Sequence, residues 1–122
     1  LTANNPELLN GSIDSIKAVV PSGGTSLHAA FEASIDLSPE PDNIFLIVDG
    51  LPTQGKEKPR GSVASSRDRV ANFSNAIEGL PFLSPINVIL FPMEGDPVAA
   101  PSYWRLAQMT GGSFLSPSRD WP

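Results

Sequence analysis

The strongest constraint on the fold is a run of five apolar residues, Ile44 to Val48, that ends directly in Asp-Gly. The run is mostly β-branched and has no polar alternation, which is typical of a strand covered on both faces. A chain of 122 residues is long enough for one hydrophobic core and too short for two independent cores. We therefore expect a single α/β domain that spans residues 1–122.

Apolar residues recur at helical spacing in four other segments of the chain. The predicted helices start at Pro6 or, because of Gly11, at Ser12, and then cover Leu27 to Ile35, Val63 to Leu80, and Tyr103 to Met109. Two further apolar runs, Ile86 to Phe91 and Ser113 to Leu115, predict strands. Strands separated by helices imply right-handed crossovers, so we expect a Rossmann-like parallel sheet with helices on both faces.

The third and fourth predicted helices each have an apolar stripe. The polar face of the third helix, which we expect to be solvated, carries Ser66, Arg67, Arg69, Asn72 and Glu78. In the fourth helix, Tyr103, Trp104 and Leu106 are expected to be buried against the sheet. The loop between the second strand and this helix carries Glu94 and Asp96, and its glycine and prolines predict a solvated turn.

Composition excludes several classes of function. The formal net charge is -5 and no run of Lys or Arg occurs, so the chain is not expected to bind nucleic acid through a basic face. No apolar run approaches the roughly 18 residues of a membrane span. The chain has no cysteine, which excludes disulfides, thiolate metal sites and a cysteine nucleophile.

Asp49 is the first candidate for a functional residue. Ligands of open parallel sheets bind beyond the carboxyl ends of the strands, where Asp49 must lie. The loop "GGTS" precedes a helix and is expected to present Thr25 and Ser26 at the same edge. Carboxylate and hydroxyl oxygens suit Mg²⁺, so Asp49 together with the hydroxyl of Thr25 or of Ser26 predicts an oxygen-ligand metal site at this edge.

Simpler interpretations of the same residues remain open. Asp49 could be only a turn residue, because Asp-Gly is among the commonest turn pairs. Thr25 could simply cap the helix that follows it.

Three stretches, "SGGTSLHAAFEASI", "NIFLIVDGLPTQG" and "YWRLAQMTGGSFLSPS", together resemble the later two thirds of a von Willebrand factor type A domain. The resemblance covers residues 12–117. The family's metal ion-dependent adhesion site combines a DxSxS motif, a threonine before a helix and an aspartate after the fourth strand. Thr25 and Asp49 match the last two. The resemblance implies Mg²⁺ or Mn²⁺, a protein partner that offers a carboxylate, and a role in adhesion or assembly without catalysis.

The sequence departs from the family pattern because no DxSxS motif follows an apolar strand. "DSIKA" at Asp14 lies in a predicted helix and "DLSPE" at Asp36 lies at a helix end. The implied site is thus incomplete in this chain. The chain opens at Leu1 rather than at Met, and we expect either that the family's first strands belong to a preceding segment or that another chain covers the edge they would occupy. A homodimer through that exposed strand edge is a further expectation.

Two other functions compete with the non-enzymatic interaction domain. Asp49 could be the remnant of a Mg²⁺-dependent phosphotransfer enzyme, although Leu46, Ile47 and Val48 leave no nucleophile in the expected pattern. The chain could also be a purely structural fragment that associates through its strand edge. Similar domains in bacteria are often cell-envelope or secreted proteins, and the resemblance extends that expectation to this chain.

Overall fold

The fold is α/β, with a small three-stranded parallel sheet and four helices in the residues that the structure describes. The structure is a computed structural model, and it describes residues 6–20, 22–57, 63–80 and 84–117. In chain order the elements are α1 (Pro6–Lys17), α2 (Leu27–Ile35), β1 (Ile44–Val48), α3 (Ser66–Glu78), β2 (Ile86–Leu90), α4 (Ala99–Thr110) and β3 (Phe114–Leu115).

The strands lie side by side in the order β1-β2-β3, and both pairs are parallel. Val48 pairs with Leu90, and Val88 pairs with Phe114. Each connection contains a helix, as parallel neighbours require. The prediction of a parallel α/β sheet is therefore confirmed, and the carboxyl ends of β1 and β2 meet at one edge.

A single hydrophobic core lies on one face of the sheet. The residues of β2 that point to it, Ile86, Val88 and Leu90, are fully buried. The helices contribute Leu27 and Phe31 from α2, Phe73 and Ala76 from α3, and Tyr103, Leu106 and Ala107 from α4. The rings of Phe73 and Tyr103 meet edge to face with their centroids 5.1 Å apart. The contact joins α3 to α4 above the sheet.

The opposite face of β1 is open in the described part of the chain. Phe45 and Ile47 expose 70% and 67% of their surface. The prediction that this strand is covered on both faces is therefore wrong for the described residues. The reason is topological: two right-handed crossovers that run in the same direction, from β1 to β2 to β3, place α3 and α4 on the same face.

The first helix packs weakly against the rest of the chain. It starts at Pro6 and runs through Gly11, so the earlier of the two predicted starts is correct. Asn5, whose position before Pro6 predicts a helix cap, lies outside the described residues. None of the residues of α1 is buried. Among the described helices, none is long and apolar enough to cross a lipid bilayer.

The start of α3 differs from the prediction because the helix has an N-terminal cap. The Ser65 side chain accepts a hydrogen bond from the Asp68 amide, and the Asp68 carboxylate accepts hydrogen bonds from the Ser65 hydroxyl and amide. These bonds lower the pKa of the Asp68 carboxyl. Such a capping box fixes the first turn, so Val63 lies outside the helix and is exposed.

The fourth helix is longer than predicted and is rotated relative to the expectation. It begins at Ala99, and Pro101 lies in its first turn, where a backbone N–H has no helical partner and proline is tolerated. Tyr103 and Leu106 are buried as expected, whereas Trp104 is exposed. The prediction for Trp104 is wrong because adjacent helical positions point about 100° apart.

Two glycines end α4 and bring β3 against β2. Gly111 adopts the left-handed conformation, with φ 72°, and its amide donates to the Ala107 and Gln108 carbonyls, which caps the helix. A Cβ atom at the following residue, Gly112, would overlap the backbone of Ile86. Only glycine therefore permits this approach. In the sequence the Gly111-Gly112 pair predicts the end of a helix, and the structure confirms it.

We expect Gly112→Ala to destabilise the fold by about 3 kcal/mol, the upper end of the cost of overpacking, because backbone atoms must move to admit the methyl group. The matched control is Gly79→Ala at the end of α3, where a Cβ meets nothing within 4 Å and φ is −88°. That change should leave stability unchanged or raise it by up to about 1 kcal/mol. Urea unfolding measures both, and equal effects would contradict the described packing of β3.

Candidate metal site

The two predicted metal ligands lie in one open depression at the carboxyl end of β1. Its lining consists of Thr25, Ile47, Val48, Asp49 and Phe91, and its volume is about 320 Å³. The structure thus brings the loop before α2 to the end of the strand, although 24 positions separate the two residues (49 − 25). Their approach is a result of the tertiary structure.

Thr25 is held in place by the segment that follows β1. The Thr25 amide donates to the Thr53 hydroxyl at 2.9 Å, and the Thr25 carbonyl accepts from the Gln54 amide at 2.9 Å. Ser26 forms an isolated parallel bridge with Gln54, and its hydroxyl donates to the Gly55 carbonyl at 2.9 Å. All these bonds use backbone atoms of residues 25 and 26 or the hydroxyl of Ser26, so the Thr25 hydroxyl stays available.

Asp49 is held through its backbone and leaves its carboxylate available. The Asp49 carbonyl accepts a hydrogen bond from the Met93 amide at 3.1 Å, and the Val48 carbonyl accepts from the Phe91 amide at 2.8 Å. Within the described ranges, the Asp49 carboxylate and the Thr25 hydroxyl make no hydrogen bond or ion pair, and both residues are exposed. The backbones of both residues are therefore held by hydrogen bonds, while their side-chain oxygens have no bonding partner among the described residues.

Ser26 has a different role from Thr25. Its hydroxyl accepts a hydrogen bond from the Ala29 amide at 3.2 Å and so caps α2, while it donates to the Gly55 carbonyl. The simple capping role that the sequence left open for Thr25 therefore belongs to Ser26. Ser26 lies behind the depression and does not line it.

A cluster of polar side chains that the sequence analysis missed holds the turn after Asp49. We call Arg69, Asp96 and Tyr103 the turn clamp. One Asp96 carboxylate oxygen accepts from the Leu51 amide and from the Arg69 guanidinium, both at 2.8 Å. Two guanidinium nitrogens of Arg69 donate to the Leu51 carbonyl at 2.8 Å and 3.1 Å.

The Arg69–Asp96 pair corrects two predictions. Arg69 was expected on a solvated helix face and Asp96 in a solvated turn, but their side chains are only 17% and 8% exposed. The polar pattern of α3 did not reveal this, because a partly buried arginine and a solvated arginine look alike in a sequence. Asp96 adds no free charge to the depression, since Arg69 and the Leu51 amide already engage its carboxylate.

Tyr103 and Gly50 complete the clamp. The buried Tyr103 hydroxyl donates to the Gly50 carbonyl at 2.9 Å. A Cβ atom at Gly50 would lie 2.7 Å from the Arg69 guanidinium and 2.9 Å from the Asp96 carboxylate. Glycine is therefore the residue that allows both charged groups to reach the backbone after Asp49.

The chemistry of the depression fits a hard cation that keeps most of its water. Mg²⁺ is commonly held by one or two carboxylates and retains several waters, and the depression offers one carboxylate and one hydroxyl. The described residues contain no group of three or more His, Cys, Asp or Glu side chains arranged around a common point.

Comparison of the chain with models of known protein families found no match, and searches of curated proteins and of solved structures found none either. The comparisons therefore neither support nor contradict the expectations drawn from the sequence.

Tyr103 offers a spectroscopic test of the clamp, since it is the only tyrosine in the chain. Burial raises the pKa of its phenol, and the nearby Asp96 carboxylate adds to the rise while Arg69 opposes it. Below about pH 10 the phenol is neutral in the folded and unfolded chains. Above that pH the unfolded chain releases the proton first, so stability should fall by up to about 1.4 kcal/mol per pH unit.

The measurement is alkaline titration of tyrosinate absorbance in native and urea-unfolded protein, together with unfolding free energy against pH. We expect the native titration to lie at higher pH than the unfolded one. The Tyr103→Phe variant should lose this part of the alkaline destabilisation and, at neutral pH, about 1 kcal/mol for the missing hydrogen bond. Coincident native and unfolded titrations would show that the phenol is not buried on Gly50.

Proposed function

We propose that this chain is a non-enzymatic protein-interaction domain that binds Mg²⁺ or Mn²⁺ at Thr25 and Asp49. The observation that supports the proposal most directly is that Thr25 and Asp49 line one depression, while the Thr25 hydroxyl and the Asp49 carboxylate are bonded to no other described residue. A residue needed only for a turn or a cap would use its side chain for that purpose. Ser26 does so, and Thr25 and Asp49 do not.

The proposed partner is a protein that offers a carboxylate. A cation held by one carboxylate keeps a positive charge, which a second carboxylate from outside can complete. Ile47 and Phe91 line the depression with apolar surface, and Phe91 is one of the exposed large apolar residues. An acidic side chain flanked by apolar residues would match both the cation and this lining. The resemblance to the von Willebrand factor type A family supports the same proposal.

The test is titration of Mn²⁺ into isotopically labelled protein, followed by paramagnetic broadening of backbone amide signals. We expect broadening centred on Thr25, Val48 and Asp49, reversed by excess Mg²⁺. Asp49→Asn removes the charged ligand and should weaken binding at least about tenfold, which corresponds to about 1.4 kcal/mol.

The matched control is Asp42→Asn, which makes the same change before β1, at the opposite end of the strand, in an exposed residue. It should leave the broadening at Thr25 unchanged. Equal losses in the Asp42 and Asp49 variants would indicate diffuse attraction by an acidic surface, and broadening that is not centred on the depression would contradict the proposed site.

A second candidate function is association of two copies through the edge of β1 that pairs with no other described strand, which we call the open edge. The Ile44 amide donates to Pro85 and the Val48 carbonyl accepts from Phe91, so alternate residues of β1 direct their backbone groups at β2. Phe45 and Ile47 therefore direct theirs at the open edge. Charged side chains and prolines commonly block pairing at an edge strand, and β1 has neither.

Two copies of β1 are also able to pair with each other through this edge. In an antiparallel pair with a two-fold axis at Leu46, Phe45 of one copy would bond to Ile47 of the other, and Asp49 would face Asn43. Like charges would not be opposed, and an aromatic residue would pair with a β-branched residue, which is a favourable cross-strand combination.

We expect sedimentation analysis to show a concentration-dependent dimer that Phe45→Lys converts to a monomer, because a lysine on an edge strand opposes pairing. Val63→Lys is the control, since Val63 is exposed outside the sheet. A parent protein that stays monomeric at the highest soluble concentration would rule out association through this edge, whatever the outcome of the metal titration.

A further inference from the structure

We infer that the turn clamp of Arg69, Asp96 and Tyr103 positions Asp49 for the metal ion. This inference rests on the proposed function and adds three residues to it. None of the three lines the depression. Each instead bonds to Gly50 or Leu51, the two residues that directly follow Asp49 in the chain.

The clamp restrains the backbone of the two residues that follow Asp49. The Tyr103 hydroxyl holds the Gly50 carbonyl, while Asp96 and Arg69 hold the Leu51 amide and carbonyl. The Met93 amide holds the carbonyl of Asp49 itself. From the Asp49 carbonyl to the Leu51 carbonyl, four backbone groups are thus hydrogen-bonded, and the clamp holds three of them. Because this backbone is already restrained, it loses little further freedom when the Asp49 side chain binds an ion.

The members of the clamp come from parts of the fold that are distant in sequence. Arg69 lies on α3, Tyr103 on α4, and Asp96 in the loop that leads to α4. The edge-to-face contact between Phe73 and Tyr103 joins the two helices. The position of the turn is therefore set by the helix layer as well as by β1. Any change in how α3 and α4 pack would reach Asp49 through these bonds.

The charges of the clamp also leave Asp49 as the carboxylate available to a cation. Asp96 lies 2.8 Å from the Arg69 guanidinium, so this second acidic group near the turn is neutralised. A planar guanidinium can bond to Leu51 through two nitrogens and to Asp96 at the same time. A lysine ammonium is a point charge without this fork, and it cannot reproduce the geometry.

The test compares Arg69→Lys with Arg67→Lys, which makes the same substitution on the same helix at an exposed position. Mn²⁺ affinity is measured by amide broadening at Thr25 and Asp49, under conditions where urea unfolding shows each variant to be fully folded. Loss of a supporting hydrogen bond behind a metal ligand typically weakens binding about tenfold or more. We expect this loss for Arg69→Lys and no change for Arg67→Lys.

Tyr103→Phe provides a second variant that keeps the packing against Phe73 and removes one hydrogen bond. It should weaken Mn²⁺ binding in the same direction and increase hydrogen exchange at the Leu51 amide. A merely structural role would change stability and leave the affinity of the folded protein as it was.

The outcomes separate this inference from the proposed function. If the parent binds Mn²⁺ through Asp49 and both clamp variants bind within about twofold of it, which is about 0.4 kcal/mol, positioning by the clamp is overturned and the metal site stands. If the parent shows no binding centred on Asp49, the proposed function fails and this inference fails with it. Weaker binding in both clamp variants, with Arg67→Lys unchanged, supports the inference.

Discussion

The paired bonds on either side of Leu51 hold the candidate site together. The Leu51 side chain is buried, 2% exposed, and its amide and carbonyl need partners, because unpaired backbone groups away from water are costly. Asp96 accepts from the amide and Arg69 donates to the carbonyl. Removing two charges from water costs free energy, and close geometry with additional hydrogen bonds is what offsets it. The turn satisfies both requirements with one ion pair.

This arrangement gives two neighbouring aspartates opposite roles. Asp96 is almost enclosed and neutralised by Arg69, so it acts on the backbone and has little charge to offer a ligand. Asp49 lies at the exposed end of β1 with its carboxylate directed to no described partner. The contrast shows why carboxylates near a strand end cannot be counted as metal ligands by position alone. Burial and ion pairing decide which of them remains available.

The one-sided sheet places two available surfaces next to each other. The open edge of β1 and its exposed face, with Phe45 and Ile47, lead directly to the depression at Asp49. A segment that added a strand to this edge would run beside the candidate metal ligands. The two proposed functions therefore concern adjoining surfaces, and an occupant of one surface would influence the other through the end of the same strand.

The sequence by itself determined the element types and the location of the candidate ligands. Apolar periodicity is local, so it predicts α2, β1 and β2 to within a residue, and the strand–helix alternation predicts the parallel sheet. The rule for the carboxyl ends of strands predicts where Asp49 lies. Helix ends were less predictable, because a capping box at Ser65 and a proline in the first turn of α4 shifted them.

Only the tertiary structure decided which charged residues are partly buried in an ion pair and which face of the sheet is covered. Arg69 and Asp96 are 27 positions apart (96 − 69), and nothing local distinguishes them from solvated residues. The open face of β1 likewise has the same apolar composition as a covered one. The physical reason is that burial and ion pairing depend on neighbours supplied by other elements, whereas helix and strand formation depends mainly on residues that are close in the chain.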